Sequence, residues 1–172
     1  GCLERIPCNV PLPDLVDNLE DSLLDVHQRI RQYSRTQCEG RTVGSTVVSM
    51  LVRGELGVCV WAGDSRLYRL RDNQLEQISE DHSQINEMIA RGLLRREEAT
   101  NHPASHVITR AVGAMETLYL DMTLFDLRPG DSYLLCSDGL YGAVADDAIM
   151  RRIQESSVDQ CAQHLIDKKK KN

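Results

Sequence analysis

The sequence predicts an α+β fold in which stacked antiparallel sheets are covered by helices. Three observations lead there. Short apolar runs separated by tight turns crowd residues 44–78. Helical apolar stripes flank that region on both sides. Strands and helices nowhere alternate regularly, as they would in a doubly wound sheet. The 172 residues amount to one domain, and 41% apolar with 27% charged residues is a globular composition.

The elements follow in order. Residues 1–13 hold three prolines and read as an irregular segment. Leu15, Leu19, Leu23, Val26 and Ile30 then form one helical stripe over 14–33, with Asp14 after Pro13 as its expected N-cap. A polar loop, 34–42, leads into strands at 44–53 and 56–62, with Gly54-Glu55 as the turn. The second run, LGVCVWA, is apolar almost throughout and is expected at the centre of a covered sheet. Strands at 65–70 and 74–78 follow, and the tight turns predict a single antiparallel meander. Asp81-His82-Ser83 open a polar insert with a short helix, interrupted at Gly92. Strands 118–126 and 132–137, joined by Arg128-Pro129-Gly130-Asp131, predict a hairpin. Helices over 145–154 and 158–167 complete the order, and Lys168 to Lys171 read as a solvated end.

Charge and cysteine usage exclude several functions. A formal charge of −6 argues against a nucleic-acid groove, which needs positive surface. There is no apolar run of spanning length and no signal-peptide pattern, so neither membrane insertion nor secretion is expected. Six cysteines form no CxxC pair and no zinc-like spacing with the five histidines, which suits a reducing, cytoplasmic setting.

Two acidic residues stand out. Asp64 follows a buried strand and Gly63; Asp138 follows another and precedes Gly139. Carboxylates at strand ends are rigidly aimed, and two that converge repel unless a proton or cation lies between them. Hard divalent ions take such oxygens, so a shared metal site is one reading. The other is that both accept backbone N–H groups in turns. Arg66, two residues beyond Asp64, is placed either to bind phosphate or to pair with Asp64. Arg110 reads as a local anchor or a catalytic group, and His82 as a helix cap or an acid–base residue. His82, His102 and His106 share the polar insert, but no HExxH pattern is present, nor a P-loop, a GxGxxG turn or a GxSxG elbow.

Four stretches in register then carry a resemblance. They are GSTVV (44–48), WAGDSRLYRLRDNQLEQISEDHS (61–83), GLLRREEATNHPASHVITRAVG (92–113) and LRPGDSYLLCSDGLYGAV (127–144). Together they resemble the PP2C-type metal-dependent serine/threonine protein phosphatases in their compact bacterial form. The resemblance implies a β-sandwich of two antiparallel sheets flanked by helices, spanning 14–167 here, with a helical flap at about 84–106. It implies two Mn2+ or Mg2+ ions, with a third in some members, that activate water against a phosphoserine or phosphothreonine protein substrate. Asp138 matches the aspartate bridging to the catalytic ions, and Asp64 one that contributes to the third metal. A cognate serine/threonine kinase pathway is implied as well.

The departures are also specific. The family's N-terminal strand with its phosphate-binding arginine, an acidic stretch and an Asp-Gly pair have no match before Pro13. The family's C-terminal Asp-Asn pair has none after residue 167, and Gly142 stands where some members have aspartate. The fold is thus expected to be incomplete at both ends, and the chain as given inactive, since each metal needs several fixed oxygens. Three readings follow: part of an ordinary phosphatase, a degenerate domain that binds phosphoproteins without turnover, or a fold whose missing strands are restored by a rearranged end or by another chain, a second copy or a partner, covering the open strands. Outside the family, the rival is a small adaptor domain whose acidic turns are only turns.

Overall fold

The computed structural model describes residues 10–39, 41–99, 102–104, 107–157, 160–162 and 165–166. Helix α1 (Leu12–Gln37) is followed by strands β1 (Val47–Arg53), β2 (Leu56–Ala62), β3 (Arg66–Arg71) and β4 (Gln74–Gln77). Helix α2 (Gln84–Ala90) and a 3-10 turn (Arg96–Glu98) lie in the polar insert. Strands β5 (Asp121–Asp126) and β6 (Ser132–Cys136) precede helices α3 (Asp138–Tyr141) and α4 (Asp146–Glu155).

The strands form two antiparallel three-stranded sheets, ordered β1-β2-β5 and β4-β3-β6. β2 explains the layering. Its Val58, Val60 and Ala62 pack with Leu19 and Leu23 of α1, while the alternate Cys59 and Trp61 meet Leu67 of β3 between the sheets. Both faces of β2 are therefore covered, and an unbroken apolar run is what such a strand needs. On the far side of the second sheet, Ala148 and Ile149 of α4 join Leu75 and Leu134. The layers run helix, sheet, sheet, helix.

Several expectations need correction. α1 starts at Leu12 rather than 14, because Pro13 falls in its first turn, where a missing N–H costs nothing. Asp14 is thus a first-turn acid, not the N-cap, and the helix runs on to Gln37. There is no single meander: β3 does not pair with β2, because β5 occupies the second edge of β2. The chain crosses between sheets at Gly63-Asp64-Ser65. Nor do β5 and β6 form a hairpin, since β5 pairs with β2 and β6 with β3. The polar insert carries the chain back from β4 to β5, and the 127–131 turn crosses again, held by Arg71, whose guanidinium donates to Asp131 Oδ1 at 2.8 Å and to the Asp126 carbonyl at 2.9 Å. The β3–β4 hairpin is as expected, with Asp72 (φ 49°) and Asn73 (φ 61°) both left-handed, the twist a two-residue loop favours.

Two of the six cysteines (Cys2 and Cys8), His106 and the lysine run 168–171 lie outside the described residues. No helix among those described is long and apolar enough to cross a membrane.

Candidate metal and phosphate site

The Gly63–Ser65 crossing and the N-terminus of α3 bring polar groups to one end of the sandwich, opposite the 127–131 turn. Gly63 makes the first crossing at φ 114°, with its would-be Cβ 2.6 Å from Thr46 Cβ, so only glycine fits there. Asp64 follows directly. The strand end expected at Asp138 is instead a helix start: β6 stops at Cys136, Ser137 is the N-cap, and Asp138 opens α3. An acid in the first helical turn is favoured by the exposed N–H groups there. Gly142 N–H donates to the Asp138 carbonyl at 2.8 Å, closing the turn.

Asp64 and Asp138 line a single cleft of about 160 Å³ with Arg66, Asp81, Tyr141 and Gly142. Burial pushes the Asp64 carboxyl above its ordinary value, and the charges of Asp138 and then Asp81 push it the same way. The Tyr141 hydroxyl donates to the Asp64 carbonyl at 2.9 Å. Tyr141 is itself driven upward by burial and then by Asp64, so it stays a neutral donor. Its ring lies under the Arg66 guanidinium, 3.6 Å from Cζ to centroid.

Arg66 pairs with neither Asp64 nor a free position. Its Nε donates to Asp81 Oδ1 at 2.9 Å and its Nη2 to Oδ2 at 2.6 Å, a bidentate fork, while Nη1 reaches Tyr68 Oη at 2.7 Å. Three carboxylates thus face one guanidinium, and that guanidinium is committed to Asp81. Asp81 escaped sequence reasoning because it opens a polar segment in which an acid carries no special signal.

The other named residues lie to one side. Arg110 donates from Nη1 to Asp121 Oδ1 at 2.6 Å, which is the anchoring role. His82 does not cap α2; Ser83 does, accepting from Asn86 N–H at 3.2 Å. Thr46 Oγ1 lies 2.8 Å from Ser65 Oγ and faces no base.

Asp64 and Asp138 offer hard oxygen donors of the kind Mn2+ or Mg2+ takes. Among the described residues no group of three or more His, Cys, Asp or Glu side chains is placed to hold a metal. The donor chemistry fits; the donor count is two, because Asp81 is turned onto Arg66.

A family model described as protein phosphatase 2C matches residues 8–170. The chain is 33% identical over 167 residues to serine/threonine protein phosphatase PstP of Mycobacterium tuberculosis, covering 97% of this chain and 32% of that protein. Among solved structures, PppA, a key regulatory component of T6SS in Pseudomonas aeruginosa, superposes with a TM-score of 0.86 at 39% identity, covering 98% of this chain and 69% of that one. The catalytic domain of PstP in complex with two manganese ions superposes at 0.82 with 30% identity, over 98% of this chain and 70% of that one. The chain spans between 32% and 63% of the length of the curated relatives it matches.

Proposed function

The chain belongs to the protein phosphatase 2C family, and on that premise we propose that it serves metal-dependent hydrolysis of phosphoserine and phosphothreonine in phosphoproteins. The observation that carries this reading is the convergence of Asp64 and Asp138 on one cleft, with Asp64 held upward by burial and by the Asp138 charge. A carboxylate pair that resists its own double ionisation is stabilised by a cation. Mn2+ or Mg2+ is the cofactor proposed, with Asp138 and Asp64 as ligands. A bound ion of this class supplies positive charge that acidifies water and offsets charge developing on the phosphoryl group.

The chain's own residues set the surroundings. Tyr141 fixes the Asp64 backbone and carries Arg66 on its ring, and the Arg66 fork holds Asp81 away from the acidic pair. Two carboxylates are too few for a dinuclear centre, so this reading requires further oxygen ligands beyond them. Residues 14–167 are read as the phosphatase domain and 84–106 as its flap; Ser83 and Val107, which flank that segment, line the cleft. A cognate kinase pathway, a cytoplasmic location and a signalling role accompany the reading; the free thiols of Cys38, Cys59, Cys136 and Cys161 support the second.

The test is phosphate release from a phosphothreonine peptide by the protein carrying this chain. Activity that depends on Mn2+, is abolished by chelation and falls on the order of 100-fold in Asp138→Asn is expected. Turnover indifferent to chelation and to that substitution would overturn the proposal.

A further inference from the structure

His82 has no part in the cleft, yet it is 93% buried and fully engaged, its exposure being only 7%. Its backbone N–H donates to the Gly63 carbonyl at 2.9 Å, and the Gly63 N–H donates back to the ring Nδ1 at 3.1 Å. The opposite ring nitrogen, Nε2, lies 3.1 Å from Asp121 Oδ2, and Asp121 is held from its other oxygen by Arg110. The ring stacks on Trp61, with centroids 5.9 Å apart and planes 17° apart. The His82 carbonyl accepts from Thr109 N–H at 2.8 Å, beside the Ser83–Ile108 bridge that closes the base of the insert.

These contacts fix the tautomer. A backbone N–H can only donate, so Nδ1 carries the lone pair and the proton sits on Nε2, where a carboxylate receives it. Asp121 is held below the ordinary carboxylate range, because hydrogen bonds from His82 and Arg110 outweigh the opposing effect of burial. An ionised Asp121 is the partner that this tautomer needs.

We propose that His82 is a positioning residue: locked by Asp121 as the Nε2–H tautomer, it grips Gly63 and thereby aims Asp64 into the acidic cleft. The link to a metal rests on the phosphatase reading above; the grip on Gly63 does not. Gly63 is the residue where a grip matters, because its backbone lies in the left-handed region and the adjacent side chain is the cleft carboxylate. The structure also holds an internal control. His27, 4% exposed, accepts from the Gly113 N–H at 2.9 Å, the same device at a turn outside the cleft.

Two substitutions separate the two ring bonds. In His82→Asn the side-chain oxygen falls near the Nδ1 position and keeps an acceptor for Gly63. In His82→Gln the amide reaches the Nε2 position and keeps a donor for Asp121 but leaves the Gly63 N–H unpaired. Amide hydrogen exchange at Gly63 is expected to accelerate about fivefold in His82→Gln and less than about twofold in His82→Asn, a hydrogen bond being worth about 1 kcal/mol. The Asp64 amide resonance moves only in the former, and His27→Gln leaves it in place. Equal effects of the two His82 variants at Gly63, or an Asp64 shift in His27→Gln as large as that in His82→Gln, would overturn the proposal. Long-range 15N NMR of the unmodified chain needs no variant to fold: a proton on Nε2 is expected, and one on Nδ1 would refute the grip. Mn2+ titration then separates the two ideas. Affinity about tenfold weaker in His82→Gln than in His82→Asn supports the link to the metal. A chain that binds no Mn2+ contradicts the metal reading, while Gly63 exchange still decides the positioning role.

Discussion

Replacing Arg66 with methionine tests how the cleft's charges are divided. The Arg66–Asp81 fork lies mostly out of solvent, with side chains 21% and 13% exposed. Removing one partner of a fully buried pair costs about 3–5 kcal/mol, mainly by stranding the other charge. Partial exposure and the bond Asp81 keeps from Gln77 Nε2, at 2.8 Å, reduce that to about 2 kcal/mol. Loss of the Tyr141 cation–π contact and the Tyr68 hydrogen bond adds about 1–2 kcal/mol. Arg66→Met is thus expected to lower unfolding free energy in urea by about 3–4 kcal/mol. Adding Asp81→Asn should restore about half of that loss, since no carboxylate is then stranded. The single variant should also bind Mn2+ about tenfold more tightly than the parent, because a positive charge leaves the cleft and Asp81 becomes available. A loss below about 0.5 kcal/mol, or a double variant as unstable as the sum of its singles, would show that the fork does not hold Asp81.

Other consequences follow from the same geometry. Hydrogen bonds from Arg71 hold Asp131 well below the ordinary carboxylate range, and Asp121 is also lowered. Their stabilisation is therefore complete above the unfolded aspartate value of about 3.9 and is lost as pH falls through the lower folded values. Urea midpoints should drop steadily below about pH 4, less steeply in Asp131→Asn; a flat profile in the parent would contradict this. Asp64 has the opposite sign: its folded value is raised, so its charge comes to oppose folding as pH rises from the unfolded aspartate value through the folded one. Asp64→Asn should stabilise the metal-free chain at pH 7, by less than about 1 kcal/mol given solvent screening, and lose that advantage near pH 3. Calorimetric melting without metal checks it. Gly63→Ala should cost at least about 2 kcal/mol by urea unfolding, from the left-handed backbone and the approach to Thr46.

What the sequence made legible was local. The continuous apolar run of β2 announced a strand covered on both faces, and the stripe of α1 named the residues that pack on it. The Arg128–Asp131 turn was legible as a turn, but its chemistry is the same whether strands return beside each other or pass to a second sheet. The choice lay in distant edges: β5 closes β2, and β6 closes β3. Asp64 and Asp138 could be named because glycines flank them at the ends of apolar runs. Asp81 and Asp121 could not, since one gains its role from Arg66, 15 residues before it, and the other from His82, 39 residues away. Strand spacing offered Arg66 to Asp64, its neighbour in sequence, whereas the fold pairs it with Asp81.

The most direct test of the central claim is Mn2+-induced line broadening in the amide NMR spectrum of this chain. Broadening centred on Asp64, Asp138 and Gly139, and lost in Asp138→Asn, is the expected result. Broadening spread over surface carboxylates, or unchanged by that substitution, would mean that the two aspartates are turn residues and that the cleft is no metal site.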